Sequence, residues 1–187
     1  MKKILIVSIL LGLLVLAACQ KKAPKAETKT TETQHSFGDI APQTAELMKT
    51  AFGHYMQMKN AMVDEQAVES RKSAAALRDA FKAFDSTTLT PEQNKVYNQY
   101  YAKLINNTEH IAGSADLSHQ RLHLAPLTAN MYALVKAFGA GQTVYYSYCP
   151  MANEDKGGYW LSESDKIRNP YFGVKMLECG EVSEVIK

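Results

Sequence analysis

Apolar positions from about residue 41 to residue 139 recur every three or four residues, the spacing of helices that each bury one face. Leu47, Ala51, Tyr55, Met58 and Met62 trace the stripe of a first predicted helix. Asp64 is a cap residue for a second, whose stripe is Ala67, Ser70, Ala74, Leu77, Phe81 and Phe84. Thr90-Pro91-Glu92-Gln93 is a start signal for a third: a hydroxyl at the N-cap, proline at the first helical position and an amide two residues later. Its face is Tyr97, Tyr100 or Tyr101, Leu104, Thr108 and Ile111, and Gly113 ends it. A fourth helix begins near Ser114 or Asp116 and carries Leu117, Leu124, Leu127, Met131, Leu134 and Phe138 as far as Gly139, with a kink expected upstream of Pro126. Four amphipathic helices joined by short turns predict an up-down bundle.

The period changes after Gly141. Thr143-Val144-Tyr145-Tyr146-Ser147-Tyr148 is β-branched and aromatic, which predicts a strand. Glu154 to Gly158 has turn chemistry, Tyr159-Trp160-Leu161 reads as a short strand, and Glu181 to Ile186 as a last one. Ser162 to Asp165 reads as a capped helical turn stopped by Asn169-Pro170. The expected fold is therefore mainly α within the α+β class: a four-helix up-down bundle with a small β and loop appendage over about residues 142–187.

The first residues follow another rule. Met1-Lys2-Lys3 precedes an apolar run from Ile4 to Leu16, too short for a comfortable membrane span but suited to a secretory signal. The run ends in Leu16-Ala17-Ala18-Cys19, which resembles the lipobox of bacterial lipoproteins. That resemblance implies cleavage before Cys19 and lipidation on it, giving a periplasm-facing envelope protein. Gln20 stands where a retention Asp would hold it at the inner membrane, so the outer membrane is favoured. Residues 19–38 are rich in Lys, Thr and Glu and read as a flexible tether, leaving 39–187 as one domain.

Charge excludes one partner class. The chain has 21 Lys and Arg against 19 Asp and Glu, but six of the basic residues and only two of the acidic ones lie among the first 34. The remainder is near neutral and lacks the basic footprint of a nucleic-acid binder.

Two cysteines lie in the domain, each beside a methionine: Cys149-Pro150-Met151 and Met176-Leu177-Glu178-Cys179. Thiolate and thioether select soft ions such as Cu(I). The same cysteines, in an oxidising compartment, equally suit a disulfide. His119 and His123 are four apart on one helical face, and His110 lies just across the turn, so these imidazoles are further candidate ligands. If the strand after Gly141 runs back along the fourth helix, Cys149 arrives level with His123. No Cys-x-x-Cys-His, Gly-rich phosphate loop, Gly-x-Ser-x-Gly or His-Glu-x-x-His occurs, so haem and the common catalytic motifs are not expected.

The Cys149–Ala152, Gly158–Ser162, Asn169–Gly173 and Met176–Gly180 stretches are specific, together with His110-Ile111, Gln120-Arg121 and His123–Thr128. They resemble a bacterial domain of unknown function found in stand-alone lipoproteins and at the C-terminus of periplasmic adaptors of copper and silver efflux pumps of the resistance-nodulation-division type. The likeness runs from about Leu47 to Val185 and implies heavy-metal binding. The expected function is a non-enzymatic lipoprotein that binds Cu(I) or Ag(I) for sequestration or delivery to an efflux adaptor. Cys149, Met151, Met176 and Cys179 are its expected ligands, His123 a further one, and His110 and His119 weaker candidates. The alternative is a disulfide-stapled module that docks on an envelope partner through its aromatic tail.

Overall fold

A computed structural model describes residues 30–187; the signal run, Cys19 and most of the expected tether lie outside the described residues. Helices α1 (Pro42–Val63), α2 (Ala67–Ala83), α3 (Pro91–Gly113) and α4 (Leu117–Phe138) pack in sequence, and α4 closes back on α1. The predicted stripes form the core: Ala51, Tyr55, Met58 and Met62 meet Leu77, Phe81, Leu104, Ile111, Leu127 and Met131, all buried. Among the described residues no helix is long and apolar enough to cross a membrane.

The local start and stop signals mostly act as read. Thr90 Oγ1 accepts from the Gln93 N–H while Gln93 Oε1 accepts from the Thr90 N–H, a complete capping box that orients α3. Asp116 caps α4 by accepting from the Ser118 N–H at 2.8 Å. Gly139 closes α4 at φ +75°, a conformation that costs glycine little. The helix continues through Pro126. Asp64 does not cap α2. It ends α1, and its carboxylate accepts from Arg168 at 2.7 Å, while Gln66 stands at the α2 N-cap.

Strands β1 (Thr31–Thr33), β2 (Val144–Cys149), β3 (Gly158–Ser162) and β4 (Glu181–Ile186) form one sheet in the order β1-β4-β2-β3. The β2–β3 and β2–β4 pairs are antiparallel and β1–β4 is parallel. The first strand corrects the expected tether of residues 19–38. Thr31–Thr33 pairs with Glu184–Ile186, and the Ser36 and Phe37 amides bond the Lys136 and Ala137 carbonyls. A polar strand gains its place from ladder bonds and from Lys136, which donates to both Thr33 and Glu184, so hydropathy gives no sign of it.

A second correction concerns Ser162 to Asp165: Ser162 ends β3 and the residues after it are bends rather than a helical turn, the Ser162 and Ser164 hydroxyls taking the amides two residues on. The turn before β3 is unusual in another way. Asn153, Glu154 and Asp155 all have φ between 53° and 62°, three successive non-glycine residues in the left-handed region.

The sheet lies against α4 and α1. Tyr146 of β2 stacks on Tyr132 of α4 with ring centroids 4.1 Å apart. The Tyr55 hydroxyl of α1 accepts from the Leu161 N–H of β3 and bonds Thr128 Oγ1 of α4 at 2.5 Å. One buried phenol thus joins two helices to an edge strand.

Candidate metal centre

The three histidines are brought together by the α3–α4 turn. His110 lies in the last turn of α3, and three residues, 114–116, carry the chain into α4. His119 and His123, one turn apart on α4, then face back toward α3. The result is a cluster in which one nitrogen from each ring lies within 4.8 Å of the others. His110 and His123 stack nearly parallel with centroids 4.2 Å apart, and His119 stands 4.9 Å from His123 at a tilt. His110 is exposed and the other two are half-buried.

Buried amides fix the frame. Gln120 Nε2 donates to the Ser114 carbonyl at 2.8 Å and to the Ala67 carbonyl at 3.0 Å, which ties the turn to the start of α2. Asn107, one turn before His110, donates its Nδ2 to the Lys103 carbonyl at 2.7 Å. That leaves Asn107 Oδ1, an acceptor, 3.1 Å from His123 Nδ1. The Nδ1 must therefore carry the proton, and Nε2 is the free donor atom for an ion. Burial, and then the neighbouring His110 and His119, hold the His123 basicity below its ordinary value, which favours the neutral ring.

The sulfur ligands expected from sequence do not join this centre. Cys149 is fully buried at the end of β2, and its sulfur lies 2.6 Å from that of Cys179. Burial and the adjoining Cys149 thiol push Cys179 up to about 11, which keeps it a thiol at neutral pH. Met151 is exposed and Met176 half-buried; they line a surface groove with Arg121, Leu122, Tyr171 and Phe172 that neither cysteine reaches.

The expected meeting of Cys149 with His123 fails for a rotational reason. The sheet meets α4 through β3 and through the stack of Tyr146 on Tyr132, on another side of the helix from α3. Arg121, two residues from both His119 and His123, donates to the Pro170 carbonyl at 2.8 Å and the Met62 carbonyl at 2.9 Å. It holds the appendage to one face of α4 while the histidines turn to the other. Among the described residues, no group of three His, Cys, Asp or Glu side chains includes a cysteine. Asn107, Gln120 and Arg121 are the positioning residues; the sequence marked Gln120 and Arg121 only through the family resemblance, without a role, and Asn107 not at all.

No curated protein and no solved structure matches the chain. A family model described as "Protein of unknown function (DUF3347)" matches residues 51–143, from the third turn of α1 to the residue before β2. The matched stretch contains all three histidines, Asn107, Gln120 and Arg121, and stops short of both cysteines. Residues 51–143 of this chain are a domain of that family of unknown function.

Proposed function

We propose that the protein is a non-enzymatic, lipid-anchored envelope protein that binds copper through His110, His119 and His123 and holds it for an efflux system. The observation that carries this reading is the convergence of three imidazole donors to within 4.8 Å on a turn braced by Gln120. Imidazole suits copper and zinc, and copper leads the divalent series in affinity. Nitrogens on one ion at about 2.0–2.1 Å stand roughly 3.3–3.5 Å from one another. Closing the centre therefore asks for about 1 Å of side-chain movement and a turn of the His110 ring out of its stack on His123, which the exposed His110 is free to make. Asn107 has already set the tautomer of His123.

The ligand set favours Cu(II) over the Cu(I) or Ag(I) expected from the sulfur motif. Placement in the envelope rests on the lipobox-like ending at Cys19. The link to an efflux adaptor rests on the resemblance of the Cys149–Met151 and Asn169–Gly180 stretches. Titration of Cu(II) into the purified protein tests the reading. One equivalent should bind, each of His110→Ala, His119→Ala and His123→Ala should weaken binding by at least about tenfold, and Met151→Leu with Met176→Leu should not. A triple alanine variant that binds copper as the wild type does would dismiss the centre.

A further inference from the structure

Three imidazoles do not complete the shell of an ion that takes four or more ligands. The residues around the cluster show where a further ligand enters. A cavity of about 410 Å³ opens beside the histidines, lined by His110 and His119 together with Asn106, Glu109, Gly113 and Ser114. His123 is not on its wall, so the cavity meets the cluster on the side of two rings and leaves the third behind them. The carboxylate on this wall, Glu109, is paired with Lys82 at 2.7 Å, and no Asp, Glu or Cys among the described residues joins the three-histidine group.

Three neutral imidazoles would leave a bound divalent ion with its full charge. A position facing an open, polar-walled cavity would therefore draw a small anionic donor rather than a neutral one.

Building on the copper centre proposed above, we infer that it keeps one position open toward this cavity and takes a single anionic donor atom from outside the chain. Such a site exchanges its ligand, which is what handing an ion to an acceptor requires, whereas a closed four-ligand shell stores the ion.

Gly113 supplies a test that leaves the histidines alone. A Cβ built there meets nothing within 4 Å, and Gly113 lies on the cavity wall, so a side chain added at this position starts in open space beside the cavity. The experiment uses the full-length protein in detergent, loaded with one equivalent of Cu(II), and azide as the probe. Azide should saturate an azide-to-copper charge-transfer band and shift the copper electron-spin spectrum. Gly113→Phe should retain copper within about threefold and weaken azide binding at least about tenfold, a loss of roughly 1.4 kcal/mol. Copper that binds but shows no response to azide means a closed shell, and this inference fails while the copper centre stands. An azide response unchanged in Gly113→Phe overturns the assignment of the cavity as the route. A protein that binds no copper removes the centre itself.

Discussion

Tyr55→Phe removes one oxygen from a site closed to solvent. The side chain is fully buried, and its hydroxyl serves the Leu161 N–H at 3.3 Å and Thr128 Oγ1 at 2.5 Å. The Thr128 hydroxyl has another recourse: it can bond the carbonyl one turn back, as Thr108 does to Leu104 at 3.0 Å. The Leu161 N–H has none, because β3 is an edge strand and this donor leaves the sheet toward α1. One orphaned buried donor costs about 1–3 kcal/mol, and the phenylalanine ring fills the same space, so a loss near 2 kcal/mol is expected. For a protein of this size that is roughly 4–8 °C in Tm. Urea unfolding of both proteins should show a lower midpoint at unchanged slope. The pH dependence adds a check. Burial pushes the Tyr55 phenol up to about 12, so the folded state favours the neutral form. Its contribution should be constant below about pH 10, the ordinary tyrosine value, and fade as pH rises beyond it. A Tyr55→Phe protein within 0.5 kcal/mol of wild type by the urea assay would show that the helices and sheet are not coupled through this hydroxyl.

Four further expectations use other measurements. Asn107→Ala should lower copper affinity by about 10- to 100-fold with little change in unfolding midpoint, because it frees the His123 tautomer without removing a ligand; equal affinity in calorimetric titration would count against the positioning role. Mild oxidation should consume the Cys149 and Cys179 thiols together, without prior unfolding, and raise stability by about 3–4 kcal/mol for a loop of this length. Copper(II) affinity in Cys179→Ala should stay within about threefold of wild type, since that thiol faces its partner and not the histidines. Gly180→Ala should lose about 2–4 kcal/mol, because φ is +137° and the new Cβ would stand 2.7 Å from both the Trp160 ring and the Tyr148 carbonyl; circular dichroism melts read it directly.

The helical bundle was legible because its information is local and redundant. Each stripe of Leu, Met, Tyr and Phe recurs over four or five turns, and Thr90 to Gln93 names the start of α3 almost by itself. The sheet was legible where its strands are aromatic or β-branched, as in β2 and β4. It was hidden at Thr31–Thr33, whose pairing partner is at the far end of the chain and whose composition suits a linker. The histidine cluster was half visible. The i, i+4 spacing of His119 and His123 gave a face, and the short turn gave His110 as a neighbour. What no spacing supplies is the rotation of α4 about its own axis. That angle is set by Arg121 and by the α3 contact, and it decided that the imidazoles meet one another instead of Cys149.

The pairing of β1 with β4 has a consequence for timing. Thr30 and Val182 are bonded across 152 positions, and Thr33 takes the Lys187 amide, so the first described strand docks on the last. A chain that emerges from its N-terminus offers β1 no partner until nearly all the rest has followed. The bundle, by contrast, needs only neighbours a few tens of residues apart and can assemble as it appears. Closing the longest loop among the described residues is then the final event, and a fault anywhere between leaves the same strand waiting. The three-residue strand β1 is in effect a report that everything from it to β4 has folded.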